Sequence, residues 1–265
     1  MYVATHKEIN FELPDYCRKV QVNAERNGKW ENYLHDNDNP DNISVKNSDY
    51  SELTALYSMW KNCEADIQGL FHYRRYLSTK TKPISKDTPM YTISPDEVLK
   101  NAITEQRILD ELENFDIIVV VPALRENAEI KEVFTSFCSE ENILKVSEII
   151  KNYYPDYYKS LLDILNGHKF SQGNIFISTR EFVNGYCEWL FDILAKLEGI
   201  IGINHPRLYG YLSEYLQNVY ILKHNLKCKY FCLAYVKNES RTMRLLRKIP
   251  GLVKFSRFMK KILKS

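Results

Sequence analysis

The sequence lacks most of the short signatures by which an enzyme class can be identified. It contains no GxGxxG, GxxxxGK[ST], GxSxG or HExxH segment. These segments bind dinucleotides, bind nucleotide phosphates, present a nucleophilic serine and hold zinc, respectively. Dinucleotide redox chemistry, P-loop hydrolysis, α/β-hydrolase chemistry and zincin proteolysis are therefore unsupported.

The sequence also lacks a cysteine framework and a long apolar run. Its six cysteines are scattered without a CxxC pair, and no segment of about 18 consecutive apolar residues occurs. No signal-peptide pattern precedes MYVATHK, so we expect a reducing cytoplasm and no membrane-spanning helix. Cys228 and Cys232 could hold a metal only with distant partners, and we expect buried free thiols instead.

Acidic residues are absent from the end of the chain. Residues 241–265 contain nine Lys/Arg and no Asp or Glu, and the whole chain has a net charge of +2, which leaves residues 1–240 at about −7. We therefore predict one domain over residues 1–240 and a basic tail over residues 241–265. An acidic body disfavours nucleic acid as a partner.

Apolar segments of strand length alternate with segments of helical periodicity. This order predicts an α/β domain with a mainly parallel or mixed sheet covered by helices. The predicted strands are Met1–Thr5, Arg18–Val22, Ile67–Phe71, Asp116–Val121, residues 174–178 and Cys228–Tyr235. The predicted helices begin near Asn47 and Pro95, fill Ile130–Leu165 as two helices joined at Pro155, and cover Glu181–Leu197 and Tyr209–His224.

Polar residues collect where several of these strands end. His6 follows the first strand, and the tetrad HYRR, residues 72–75, ends the third. Because ligands bind beyond the carboxyl ends of parallel strands, we expect one site there. Arg74 and Arg75 can donate bidentate hydrogen bonds to a diphosphate. Side chains alternate along a strand, so we expect one of the two to enter the site and the other to pair with an internal carboxylate.

Two alternatives concern the acidic residues. Asp36 and Asp38 form a D-x-D pattern that could hold Mg²⁺ or Mn²⁺ against a diphosphate, although an Asx-rich loop produces such patterns as turns. We favour the turn, and therefore no metal cofactor. Glu214 lies among apolar residues of a predicted helix, where burial would raise its pKa and suit it to act as a base. The alternatives are a solvated helix face or an ion pair with an internal arginine, and Glu188 is the rival acid.

Several segments together resemble a known bacterial family. They are VATHK, DNIS with the following KN, ELTALYSMWKN, GLFHYRRYLS, GNIFIS, YCEWLFDIL and LSEYLQNVY. The family is a domain of unknown function found in capsular, exopolysaccharide and lipopolysaccharide O-antigen gene clusters and treated as glycosyltransferases related to the GT-A fold. The resemblance covers about residues 1–236.

The resemblance implies a GT-A-like, Rossmann-like domain and a hexosyltransferase. The implied donor is a nucleotide sugar, with a UDP-linked galactose favoured in pyranose or furanose form, and the implied acceptor is a polyprenyl-diphosphate-linked glycan. GLFHYRRY stands where most GT-A enzymes have a metal-binding acidic pair, which implies that the protein handles the diphosphate without a metal. Glu214 is similar in placement to the catalytic acidic motif of GT-A enzymes. Gly173 and Asn174 lie in a segment that resembles the acceptor-side glycine loop of those enzymes. The implied donor-binding residues are His6, Asp41, Asn42, Ser44, Lys46, His72, Arg74 and Arg75.

The tail fits the same interpretation. Apolar residues of 252–263 can line one face of a helix, and lysines and arginines can line the other. Such a helix favours an anionic membrane surface, so we expect a peripheral protein on the inner face of the bacterial cell membrane. A partner-binding or disordered tail is the alternative. For the whole chain, the alternative to an enzyme is a non-catalytic module that binds glycans or nucleic acid.

Overall fold

The computed structural model describes residues 1–87 and 89–237. Twelve strands are present in these two ranges. In chain order they are β1 Tyr2–Thr5, β2 Arg18–Gln21, β3 Leu34–His35, β4 Ile67–His72, β5 Arg75–Leu77, β6 Met90–Ile93, β7 Ile117–Val120, β8 Ala123–Leu124, β9 Lys169–Phe170, β10 Phe176–Thr179, β11 Cys228–Phe231 and β12 Leu233–Val236.

Ten of the strands form one mixed sheet, which confirms the predicted α/β fold class. Seven lie side by side in the order β11, β7, β10, β4, β1, β2, β3. β1, β2, β3 and β4 are mutually parallel, as are β7 and β11, whereas β10 runs antiparallel to both of its neighbours. The carboxyl ends of β1, β2 and β4 therefore share one edge with the amino end of β10.

The remaining three strands of that sheet form a branch. The chain reverses after His72, and β5 pairs antiparallel with β4 and with β12, which also pairs parallel with β6. Residues Tyr73 and Arg74 form the turn. The predicted last strand, Cys228–Tyr235, is therefore two strands, because the chain bends at Cys232 to pass from β7 to the branch.

Ten helices cover the sheet in the same part of the chain. They are α1 Ala24–Asn27, α2 Asn47–Tyr50, α3 Leu53–Asn62, α4 Val98–Asn101, α5 Glu105–Leu112, α6 Ile130–Cys138, α7 Glu140–Tyr153, α8 Pro155–Leu165, α9 Arg180–Ile201 and α10 Leu208–Lys223. Successive side chains of a strand face opposite sides, so Leu70 packs with α3 and α6–α10, whereas Phe71 joins a second core that includes residues of α4 and α5.

Three predicted helices contain breaks that the periodicity did not show. Ser51 takes a φ of 53° between α2 and α3, and Ser139 takes a φ of 63° between α6 and α7. The helix predicted from Pro95 to Leu112 is a short 3₁₀ turn followed by α4 and α5. Apolar spacing continues across these breaks, because each flanking helix buries apolar residues in one of the two cores.

The expectation of buried free thiols at Cys228 and Cys232 holds in part, because Cys232 is buried whereas Cys228 is half-buried. All six cysteines are free, and four of them are buried. No helix within residues 1–87 or 89–237 combines the length and the apolar character needed to cross a membrane. The predicted basic tail, residues 241–265, lies outside the described residues.

Candidate functional site

A cavity of about 410 Å³ opens at the carboxyl ends of β1 and β4. The cavity lies at the place where the strand-end rule predicts a ligand site. The cavity is bounded by the ends of these strands, the turn between β4 and β5, the α2–α3 junction and the residue that precedes α10. Its lining is Ala4, Thr5, His6, Val22, Asn47, Ser48, Ser51, Glu52, His72, Tyr73, Arg74, Arg75 and Arg207.

Three guanidinium groups face this cavity. Arg74 lies over the ring of Tyr73 at 4.6 Å and over that of Tyr235 at 5.4 Å, measured to the ring centroids. Within residues 1–87 and 89–237, no carboxylate lies within 4.0 Å of Arg74, Arg75 or Arg207. The cavity also contains one acid, Glu52, so its lining carries net positive charge. Such a cavity attracts a multiply charged anion.

The prediction that only one arginine of the tetrad enters the site is wrong. The expected alternation requires Arg74 and Arg75 to lie on one continuous strand. Instead, the strand ends at His72, and Arg75 begins the returning strand. The reversal brings both arginines to the same cavity, and neither pairs with an internal carboxylate among the described residues.

Glu52 and His72 meet at the inner part of the cavity lining. Glu52 Oε1 lies 3.8 Å from His72 Nε2 and accepts a hydrogen bond of 2.7 Å from Asn174 Nδ2. Burial lowers the pKa of His72, with Arg75 and Arg207 adding to the effect against the charge of Glu52. The imidazole is therefore neutral at neutral pH.

Glu214 is a half-buried residue of α10 and is not among the residues that line the cavity. Its Oε2 accepts a hydrogen bond of 2.9 Å from the backbone N–H of Gly173. Burial of the carboxyl group, reinforced by the charge of Glu52, raises the pKa of Glu214 from 4.5 to about 7, against the opposing effects of Gly173, Arg75 and Arg207. A carboxyl group with this pKa exchanges its proton near neutral pH.

The loop before β10 holds both acids. Gly173 and Asn174 have positive φ angles of 89° and 50°, so the backbone turns sharply there. Gly173 donates to Glu214, whereas the side chain of Asn174 donates to Glu52 and also to Ser213 Oγ at 2.8 Å. The residues expected on the acceptor side thus contact the two carboxylates directly.

The structure brings together only part of the expected donor-binding set. His6, His72, Arg74 and Arg75 line the cavity. Burial and three neighbouring cations lower the pKa of His6, whose ring packs edge-on against that of Tyr73.

The remaining four residues of that set do not line the cavity but make contacts within the protein. Asp41 accepts a hydrogen bond from Tyr57, and Asn42 bonds to the backbone of its own turn. Ser44 is fully buried and donates to Asp36, and Lys46 pairs with Glu198 at 2.7 Å. Short polar side chains in such a loop satisfy backbone groups, and here that role prevails.

The D-x-D carboxylates have partners that do not fit a divalent cation. Asp36 is buried and accepts hydrogen bonds from the backbone N–H groups of Asn23 and Ala24 and from the hydroxyl of Ser44. Asp38 pairs with Lys29 at 2.7 Å. No cluster of three or more metal-binding side chains is found in residues 1–87 and 89–237.

The sequence analysis does not identify two charged residues of the cavity, Glu52 and Arg207. In the sequence, Glu52 stands near the start of the helix predicted from Asn47, where acidic residues are common because they complement the helix dipole. Arg207 immediately precedes α10 with a φ of 64°, and its backbone N–H donates to Ser48 O at 2.8 Å. A cation at a helix amino terminus opposes the helix dipole, so the position of Arg207 was itself a signal of a functional role.

Comparisons with known proteins concern the family and the fold of the chain. The model of a family described as a domain of unknown function, DUF4422, matches residues 1–225. The apo structure of the bifunctional glycosyltransferase WbbM matches with a TM-score of 0.81 and 26% identity, over 90% of this chain and 45% of that one. The chain thus spans less than half the length of that structure. No curated protein matches the chain.

Proposed function

The chain belongs to the DUF4422 family and its fold is similar to that of a glycosyltransferase, and from this premise we propose that it transfers a sugar from a nucleoside diphosphate donor. The observation that carries the proposal is a cavity lined by Arg74, Arg75 and Arg207, none of which pairs with a carboxylate in residues 1–87 and 89–237. A diphosphate carries several negative charges, and planar guanidinium groups can donate paired hydrogen bonds to its oxygen atoms.

The arginines also suit the chemistry of the transfer. When the bond between the anomeric carbon and the diphosphate oxygen breaks, negative charge develops on the diphosphate. Fixed guanidinium groups stabilise that charge without a metal ion, so we propose that the reaction needs neither Mg²⁺ nor Mn²⁺. The engaged carboxylates of Asp36 and Asp38 support this view.

Glu214 is the proposed base. As the acceptor oxygen bonds to the anomeric carbon, its hydroxyl proton must leave, and a carboxylate with a pKa of about 7 can accept it at neutral pH. The hydrogen bond from Gly173 fixes the orientation of this carboxylate. Glu214 and the rival acid Glu188 both lie outside the cavity lining, but Glu214 accepts a hydrogen bond from Gly173, whose neighbour Asn174 holds Glu52 of that lining.

The finer part of the proposal rests on the family resemblance. We propose a UDP-linked hexose donor, with galactose favoured, and a polyprenyl-diphosphate-linked glycan acceptor in bacterial surface polysaccharide synthesis. The similarity of the fold to that of a glycosyltransferase supports an enzyme over a purely binding module. A panel of UDP-, GDP- and CMP-sugars tests the donor class directly.

Arg75→Ala tests the role of the arginines. We expect kcat/KM for release of nucleoside diphosphate to fall at least tenfold, because each charge-assisted hydrogen bond contributes about 1.5–3 kcal/mol. Arg180→Ala is the matched control, since that residue pairs with Glu64 on the surface. Equal rates in the unsubstituted protein and the Arg75 variant would contradict the assignment.

The same assay separates the remaining alternatives. Activity that is lost in EDTA and restored by Mn²⁺ would overturn the metal-free mechanism. Selective thermal stabilisation by a nucleotide sugar without any turnover, across a panel of acceptors, would favour the binding module.

We also propose that the basic tail binds the membrane surface. Lys260→Glu and Lys261→Glu together should weaken cosedimentation of the full chain with vesicles containing anionic lipids, because each basic residue near such a surface contributes about 1 kcal/mol. Vesicles of neutral lipid are the control. Unchanged binding to the anionic vesicles would contradict the proposal.

A further inference from the structure

Two buried polar atoms in the site have no hydrogen-bond partner among residues 1–87 and 89–237. They are His72 Nε2 and Asn174 Oδ1. Buried polar atoms in folded proteins are nearly always paired, so an unpaired one requires an explanation. Both belong to side chains that adjoin the same carboxylate, that of Glu52.

The orientation of these groups is fixed by their surroundings. Asn174 Nδ2 donates to Glu52 Oε1 at 2.7 Å and to the carbonyl oxygen of Gly210 at 3.2 Å. Both partners are acceptors, so the amide cannot be turned over without losing these bonds. The carboxylate of Glu52 is thereby held toward His72, with the two side chains only 15% and 10% exposed.

The gap between Glu52 and His72 is too long for a direct hydrogen bond. At 3.8 Å the two atoms exceed the range of N–H···O bonds. The same distance is shorter than the combined length of two hydrogen bonds. One oxygen atom of a ligand can therefore lie within hydrogen-bonding distance of both Glu52 Oε1 and His72 Nε2.

A hydroxyl group has the matching chemistry. Burial lowers the pKa of His72, which is therefore neutral and can offer Nε2–H as a donor. The carboxylate of Glu52 is an acceptor. A hydroxyl oxygen can accept from the imidazole while its proton is donated to the carboxylate, which satisfies the unpaired nitrogen.

We propose that Glu52 Oε1 and His72 Nε2 together bind one hydroxyl group of the sugar carried by the donor, and thereby select among donor sugars. The inference rests on the proposed function, because it takes the diphosphate to lie on the arginines of the same cavity. The sugar joined to that diphosphate then lies within reach of the inner lining. Asn174 is a positioning residue that orients Glu52.

The test compares a nucleotide sugar with its free nucleoside diphosphate. The probes are UDP-glucose, UDP-galactose, UDP-N-acetylglucosamine and GDP-mannose, with UDP and GDP as their sugar-free counterparts. The tightest nucleotide sugar for the unsubstituted full-length protein is chosen by thermal shift and titrated by calorimetry. The variants are Glu52→Gln and His72→Phe, with Glu64→Gln as the control, because Glu64 lies on the surface and pairs with Arg180.

We expect each site variant to bind the nucleotide sugar at least tenfold more weakly and to change its affinity for the free diphosphate less than threefold, since only the sugar is bound by this pair. The double variant should lose no more than the worse single variant, because both side chains bind the same hydroxyl. Melting temperatures without ligand establish that each variant is folded.

Other results overturn the inference. Equal losses for the nucleotide sugar and the free diphosphate, or no loss for either, would contradict sugar binding by this pair. Additive losses in the double variant would contradict a shared hydroxyl. If no nucleotide or nucleotide sugar binds the unsubstituted protein, the proposed function itself fails, and the subsite fails with it.

Discussion

Replacement of Glu214 by glutamine should make the protein more stable at alkaline pH. In the folded protein, burial and the charge of Glu52 raise the pKa of Glu214 from 4.5 to about 7. Between these values the folded state binds more protons than the unfolded chain, so the free energy of unfolding falls as the pH rises. At about 1.36 kcal/mol per pKa unit, the loss is about 3 kcal/mol and is complete above about pH 7.

Glutamine cannot ionise, yet its side-chain oxygen can still accept the hydrogen bond from Gly173. We therefore expect Glu214→Gln to gain about 3 kcal/mol at about pH 8 and nothing below about pH 4. For a chain of 265 residues this corresponds to a rise in Tm of about 5 °C.

Thermal unfolding followed by circular dichroism between about pH 4 and pH 9 measures this gain. Glu64→Gln is the control, because that exposed carboxylate pairs with Arg180 and should show no such dependence on pH. An equal change in Tm at both ends of the range, or a loss of stability at every pH, would refute the argument from burial.

Two further predictions concern the same site and the sheet beneath it. Glu52→Gln removes a like charge and should lower the pKa of Glu214, so the gain from Glu214→Gln at about pH 8 should be smaller in that background; an unchanged gain would show that the two acids are not coupled. Gly69→Ala should destabilise the protein by about 1–3 kcal/mol, because its Cβ would lie 2.5 Å from the carbonyl oxygen of Phe176 in the adjacent strand. Gly199→Ala on α9 is the matched substitution and should stabilise the protein by about 0.5–1 kcal/mol, because no atom lies within 4 Å of the added Cβ. Denaturant unfolding measures both changes in the free energy of unfolding, and equal effects would contradict the packing.

The sheet was predictable from the sequence where apolar runs were short and bounded. Residues 117–120 form a fully buried strand inside the predicted Asp116–Val121, and β4, Ile67–His72, contains the predicted strand Ile67–Phe71. Burial on both faces imposes continuous apolar residues on such strands, so their pattern is unambiguous. The raised pKa expected for Glu214 has the same origin, since apolar neighbours along a helix indicate burial.

Backbone reversals were not predictable. No glycine, proline or asparagine marks the turn at Tyr73 and Arg74. Ser51 adopts a positive φ because surrounding groups hold it there, among them the side chain of Asn47, which donates a hydrogen bond of 2.7 Å to the carbonyl oxygen of Ser51. The direction of polar side chains was equally hidden. Residue type alone does not distinguish a polar side chain that lines a cavity from one that builds a turn. Only the fold shows that His6 lines the cavity and that Asp41 and Ser44 do not.

The pairing of β12 with β5 has a practical consequence for anyone who shortens, tags or immobilises this protein. Tyr235 lies opposite Arg75 in the sheet and under the guanidinium group of Arg74, and the backbone N–H of Val236 donates to the carbonyl oxygen of Arg74 at 2.8 Å. A tag or cleavage site inserted directly after Lys237 would therefore be only a few bonds from the turn that carries two of the three arginines. A truncation that ends before Leu233 would remove the backbone support of those arginines.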